Sequence, residues 1–158
     1  MTNFFDTQPS ATTDEINSLE QYASLSFPDD YRSHLLHYNG GQCLPNGFSF
    51  LENGKVSSSN VDWFLATRSE EWGSLKDYIE TFKVDEKRMP SNLLPIAFDP
   101  GGNLICISCS GLDLGRIYFW DHENEVDYSI ADDEDYSNIY LVSNHLTQFL
   151  DSLREDED

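Results

Sequence analysis

Apolar positions along this chain follow two periods, and the shorter one is concentrated in residues 93–124. That stretch holds three apolar runs, 94–98, 104–109 and 116–120. Asp99-Pro100-Gly101-Gly102 parts the first two, and Gly111-Leu112-Asp113-Leu114-Gly115 parts the last two. Proline presets φ and glycine accepts positive φ, so each break is a turn signal with a physical cause. Runs joined this tightly predict an antiparallel meander, because parallel neighbours need a crossover of a dozen or more residues. Leu104, Ile105, Cys106 and Ile107 are continuously apolar, which predicts a central strand covered on both faces. Helices on either side would supply the cover.

The longer period, near 3.6, marks the helices. Thr12 and Glu15 stand at capping-box spacing before a face of Ile16, Leu19 and Ala23, with Tyr22 beside it. Ser26-Phe27-Pro28-Asp29-Asp30 opens a second helix, with proline in the first turn and two acids at the positive end of the dipole. Tyr31, Leu35 and Tyr38 carry its apolar face, Leu36 lies alongside, and Asn39-Gly40-Gly41 stops it. Ser74 heads a third helix bearing Leu75, Tyr78, Ile79 and Phe82, which frays over 84–88 ahead of Pro90. Ser143 heads a last one bearing Leu146, Phe149, Leu150 and Leu153.

Between the second and third helices, Phe48, Phe50 and Val56 lie in short segments split by hairpin-type turns at Asn46-Gly47 and Asn53-Gly54. Residues 57–60, Ser-Ser-Ser-Asn, read as a loop. Residues 61–66 read as a strand with Trp63 and Leu65 on one face. Residues 139–142 form a further apolar run. Residues 1–11 lack periodicity and are expected to be loose, and 155–158 form an acidic tail. One domain over 12–154 is therefore expected, with no internal repeat or linker.

Charge changes the picture most. Nine basic residues stand against 29 acidic ones, a net charge of −20. Residues 117–158 hold 13 acids and one base, Arg154, whereas the preceding 116 residues hold 16 acids and eight bases. Such charge repels phosphate backbones, so direct nucleic-acid binding is not expected. It favours encounter with basic partners, and it also serves simple solubility. The N-terminus lacks the basic and apolar regions of a secretory signal, and no run approaches the ~20 apolar residues of a membrane span. Three cysteines, an odd number, suit a reducing compartment better than a disulfide framework. The cytoplasm is the expected location.

Candidate chemistry is thin. Cys106 and Cys109 form a C-x-x-C, but residues three apart on a strand point to opposite faces, so buried free thiols are expected. His34 and His37 share a helix, but no further metal ligand is apparent, and solvated histidines are expected. Asp121-x-Glu123-x-Glu125 begins like a calcium loop, but Val126 and Asp132 occupy the positions that need glycine and glutamate. There is no Gly-x-Ser-x-Gly elbow, and Gly101-Gly102 lacks the rest of a phosphate loop. No catalytic residue, metal ligand or cofactor is predicted.

The ordered pieces carry a resemblance. F-P-D-D-Y-R-x-x-L-L (residues 27–36) is followed by Y-N-G-G (38–41). L-P-I-A-F-D-P-G-G-N-L-I-C-I (94–107), G-R-I-Y-F-W-D-H-E (115–123) and V-S-N-H-L-T-Q-F-L-D-S-L (142–153) come after them. Together they resemble the SUKH superfamily, in the branch holding a yeast cell-wall-synthesis regulator and many bacterial immunity proteins. The middle of the chain, 44–88, matches poorly. The resemblance implies an α+β domain with a mostly antiparallel sheet and helices packed around it. It also implies an immunity protein that binds and blocks a cognate toxin domain, a nuclease or other basic toxin, and brings no catalytic residues. A regulatory or scaffolding adaptor is the alternative. On this footing Asp121, Glu123, Glu125, Asp127, Asp132, Asp133, Glu134 and Asp135 are the expected partner-binding residues. They sit on a loop hung from a rigid strand end. Trp120 is grouped with them, and Trp63 and Trp72 are further candidate aromatic anchors. The oligomeric state is open.

Overall fold

A computed structural model describes residues 2–69 and 73–155. Its centre is a five-stranded antiparallel sheet of β5 (Trp63–Phe64), β6 (Leu93–Phe98), β7 (Leu104–Ser108), β8 (Ile117–Trp120) and β9 (Ile139–Ser143), in that spatial order. The predicted meander is β6-β7-β8, with Leu104 opposite both Phe98 and Trp120. The central strand β7 is buried along its whole length. Side chains alternate across the sheet with period two. Ile105, Ile107, Ile117 and Phe119 enter one core, and Leu104, Cys106, Tyr118 and Trp120 enter another on the opposite face.

The first core is the larger. Against it pack α1 (Thr13–Ala23), α2 (Asp29–His37), α3 (Leu75–Ile79) and α4 (Leu146–Ser152), making the chain one α+β domain. The helix starts follow from local chemistry. Thr12 Oγ1 accepts from Glu15 N and Glu15 Oε1 accepts from Thr12 N, each at 3.1 Å, completing the predicted capping box. Ser74 and Asp77 form a second box at α3. Gly40 closes α2 at φ 72°, where a Cβ would lie 2.7 Å from that of Ala66, so both conformation and space require glycine.

Several expectations are corrected. Residues 3–5 are not loose: β1 (Asn3–Phe5) pairs with β2 (Gln42–Leu44), and Gln8 bridges Asn39. Buried Asn39 anchors this region, donating to Pro9 O and Thr67 Oγ1 and accepting from Thr67 N. The serine run is a strand. β3 (Gly47–Glu52) pairs with β4 (Lys55–Asn60) because Asn53 and Gly54 both take positive φ and fix the register. Asn46-Gly47 is no hairpin turn; Gly47 begins β3 and lies so close to Arg154 O that a Cβ would meet it at 2.8 Å. Only Trp63 and Phe64 of the 61–66 run form a strand. α3 widens into a π turn over Glu80–Val84 rather than fraying at once. His145, not Ser143, caps α4, its Nδ1 accepting from Gln148 N at 3.2 Å. Leu36 and Tyr38 are exposed. Trp72 and residues 156–158 of the acidic tail lie outside the described residues.

The largest correction concerns the second face. No helix bundle covers it. Phe82 of the π turn, Met89, Tyr78 and Tyr136 pack there instead, and the chain from Asp121 to Asn138 wraps over the sheet beyond Trp120.

Candidate partner-binding surface

The acidic segment leaves β8 at Trp120, which is fully buried. Its indole donates to Arg88 O at 3.1 Å and meets the Phe82 ring edge-on at 5.4 Å. Trp120 therefore cannot touch a partner and is a core anchor; a tryptophan ending a strand resembles a surface anchor in sequence, but Phe82 and Arg88 cover its face. Trp63 is half-buried.

Five of the eight predicted carboxylates are engaged within the fold. Asp121 is mostly buried, accepting from Glu123 N at 2.9 Å and Asn124 Nδ2 at 2.6 Å to cap a short 3₁₀ turn. Glu125 takes a bidentate pair from Arg88, at 2.8 and 2.7 Å. The Arg88 guanidinium also lies 4.4 Å from the Phe82 ring centroid, so one side chain joins strap and core. Asp127 accepts from Ser129 N and Oγ, which hold its carboxyl below the usual range. Asp133 accepts from Ser91 N and Oγ at 2.7 and 2.9 Å and pairs with Lys87 at 2.7 Å. Partial burial pushes the Asp133 carboxyl up, but these partners outweigh it and the net shift is downward. Asp135 is likewise lowered by Ser137.

Glu123, Asp132 and Glu134 are exposed, and their carboxylates have no hydrogen bond or ion pair among the described residues. The segment is thus a strap fastened by its own acids, with a minority of its charge left to face outward. Ile130, on the same strap, is also exposed.

Beside the strap stands the 111–115 turn, which was read from sequence only as a break between strands. The Asp113 carboxylate holds it. Oδ1 accepts from Ser108 Oγ at 2.9 Å and Asn92 Nδ2 at 3.2 Å, and Oδ2 accepts from Tyr118 and Tyr136 hydroxyls at 2.8 Å each. Burial raises the Asp113 pKa and these donors more than reverse it, while the Tyr118 phenol is pushed up to about 12 by burial and by that carboxylate. Leu112 is fully exposed and Leu114 is 57% exposed. A cleft of about 600 Å³ opens where the turn meets Asp133, Glu134 and Tyr136. The signal for these leucines was present in the sequence: two apolar residues inside a five-residue turn bounded by glycines have no strand to carry them into a core.

The cysteines and histidines divide. Cys106 and Cys109 belong to opposite cores, as the strand argument requires, and burial raises both thiols, Cys109 to about 12. His37 is exposed, its ring 2.8 Å from Ser33 O. His34 corrects the expectation of a solvated ring. It is buried among Phe4, Tyr31, Tyr38 and Phe64, with ring centroids 5.1–6.4 Å away, and burial lowers its pKa to about 4. Among the described residues no helix is long and apolar enough to cross a membrane.

The architecture is a mostly antiparallel α+β domain that carries an acidic strap beyond its fourth central strand. The chain belongs to the SMI1 / KNR4 family (SUKH-1), which it matches over residues 10–152. Members of that family are generally immunity or regulatory proteins rather than enzymes. The chain is also similar to YokK, an uncharacterized SPbeta prophage-derived protein of Bacillus subtilis (strain 168). The two are 27% identical over 165 residues, covering 90% of this chain and 74% of YokK.

Proposed function

We propose that this protein is a cytoplasmic immunity protein that binds a cognate toxin domain, a nuclease or other basic toxin, and occludes its active or substrate-binding surface. One observation carries the reading in this family member: a strap bearing eight acids is fixed to the sheet while Glu123, Asp132 and Glu134 stay unpaired and outward. Carboxylates held this way would meet the Lys and Arg side chains with which a basic toxin grips phosphate. Little carboxylate reorganisation is needed on binding, because the strap's own hydrogen bonds already fix its course. The charge would act chiefly on association, towards roughly 10⁸ M⁻¹s⁻¹ at low salt.

The test is co-expression with the product of the adjacent gene. Growth should be rescued, and the purified pair should associate at a rate that falls steeply with ionic strength. A pair that neither associates nor rescues growth defeats the proposal.

A further inference from the structure

The acidic strap supplies charge but little apolar contact, and its aromatic neighbour Trp120 is spent on the core. Interfaces take most of their energy from a few desolvated anchors, and rim charges contribute mainly to rate. The strap itself exposes a single isolated aliphatic side chain, Ile130, among the described residues, whereas the turn beside it exposes two together. Leu112 and Leu114 stand exposed on a turn whose ends, Gly111 and Gly115, both take φ 88°. The turn is closed by Gly115 N donating to Ser108 O at 2.8 Å and Ser108 N donating to Arg116 O at 2.9 Å. Inside it the Asp113 carboxylate accepts from four side chains drawn from four separate positions in the chain.

Single exposed leucines are ordinary on protein surfaces. Two within three residues, on a turn pinned this firmly, are different: the scaffold fixes apolar groups it does not bury. The backbone that carries them has little freedom left to lose when a partner covers them, which is what preorganised anchors require. The adjoining cleft is lined by Asn92, Arg116, Asp133, Glu134 and Tyr136, so the leucines stand at the edge of a carboxylate-bearing groove.

We infer that the 111–115 turn is the apolar prong of a protein-docking surface, with Leu112 and Leu114 entering an apolar pocket on the partner whose rim carries Lys or Arg side chains facing Glu134 and its acidic neighbours. The inference rests on the toxin-binding reading and assigns that reading its anchor. Charge complementarity selects the occupant: a second copy of a chain with net charge −20 would bring like charge to the groove, whereas a basic domain would bring the opposite.

The experiment measures association and dissociation of the adjacent gene's product, carrying an inactivating substitution, against three forms of the full chain. These are the wild type, Leu112→Ser/Leu114→Ser, and Val56→Ser as an exposed apolar control on the β3–β4 hairpin. The double variant should bind at least about 30-fold more weakly, through faster dissociation, with association rate and salt slope retained. The Val56 control should match the wild type. Dissociation of the double variant at the wild-type rate overturns the prong and leaves the toxin-binding reading standing. Absence of wild-type binding overturns both.

Discussion

The two faces of the central sheet are built on different principles. One buries Ile105, Ile107, Ile117 and Phe119 beneath the helices and the β3–β4 hairpin, and its cover is itself amphipathic secondary structure. The other buries Leu104, Cys106, Tyr118 and Trp120 beneath a π turn and a strap fastened by Arg88, Lys87, Ser91 and Tyr136. Charge screening does not weaken apolar burial, whereas it does weaken exposed ion pairs. The first face therefore behaves as foundation. The second presents its charge on the strap, whose acids are held by Arg88, Lys87 and Ser91 or by their own neighbours.

The sharpest way to break this comparison is at Trp120. If the second face is true core, Trp120→Ala should cost about 3–5 kcal/mol in urea unfolding, as large aromatic truncations in cores do. A loss below about 1 kcal/mol, accompanied by weaker partner binding, would return Trp120 to the interface and remove the second core.

Acid unfolding separates the faces more finely. His34 lies on the buried side of α2 with its pKa lowered from 6.5 to about 4, so the unfolded chain binds a proton there more readily than the folded one. Stability is therefore full above about pH 6.5 and falls as pH drops towards 4, by on the order of 3 kcal/mol from this group. On the strap face Asp113 and Asp133 are held below 3.8, so their contribution persists above 3.8 and is lost only as pH falls through their folded values. Two windows result, His34 first. Replacing His34 by Phe, which suits a nest of aromatic rings, should erase the loss between pH 6.5 and 4 and leave the lower one. An unchanged profile would show that His34 does not titrate as its burial requires.

What was legible in the sequence sorts by the range of the signal. The meander, the Thr12 and Ser74 caps and the Asn53-Gly54 hairpin are local: a few residues contain all the physics that decides them. The polar strand β4 was not legible, because Ser57-Ser58-Ser59-Asn60 has no strand propensity and is paired only through the register its turn imposes. β1 was missed for another reason: it is short and its partner strand, Gln42–Leu44, is distant in the chain. The burial of His34 depends on Phe4 and Phe64, which arrive from opposite directions along the chain. At the candidate surface the acids were legible as charge, and Asp121, Asp127 and Asp135 are held locally by residues two or three further on, but the fastening of Glu125 and Asp133 was not legible, since it depends on Arg88, Lys87 and Ser91 meeting them across more than 30 residues. Trp120 was legible as an aromatic strand end and misplaced at the surface, because the cover over its face comes from Phe82 and Arg88, more than 30 residues away.

The division of the acids into fastened and free yields the smallest expected effect on stability and the most discriminating one. Arg88 pairs with Glu125 and stacks on Phe82, so Arg88→Ala should cost about 1–2 kcal/mol, part of it lost at high salt. Glu123, Asp132 and Glu134 fasten nothing, so the triple change to Gln, Asn and Gln should alter stability by no more than about 0.5 kcal/mol. The same triple variant should associate more slowly with a basic partner and show a shallower salt slope, because outward charge acts on encounter rather than on the fold. If instead it destabilises the protein by as much as Arg88→Ala while association is unchanged, the outward acids are part of the fastening. The distinction between strap and surface then collapses, because the entire segment would serve only to close the second face of the sheet.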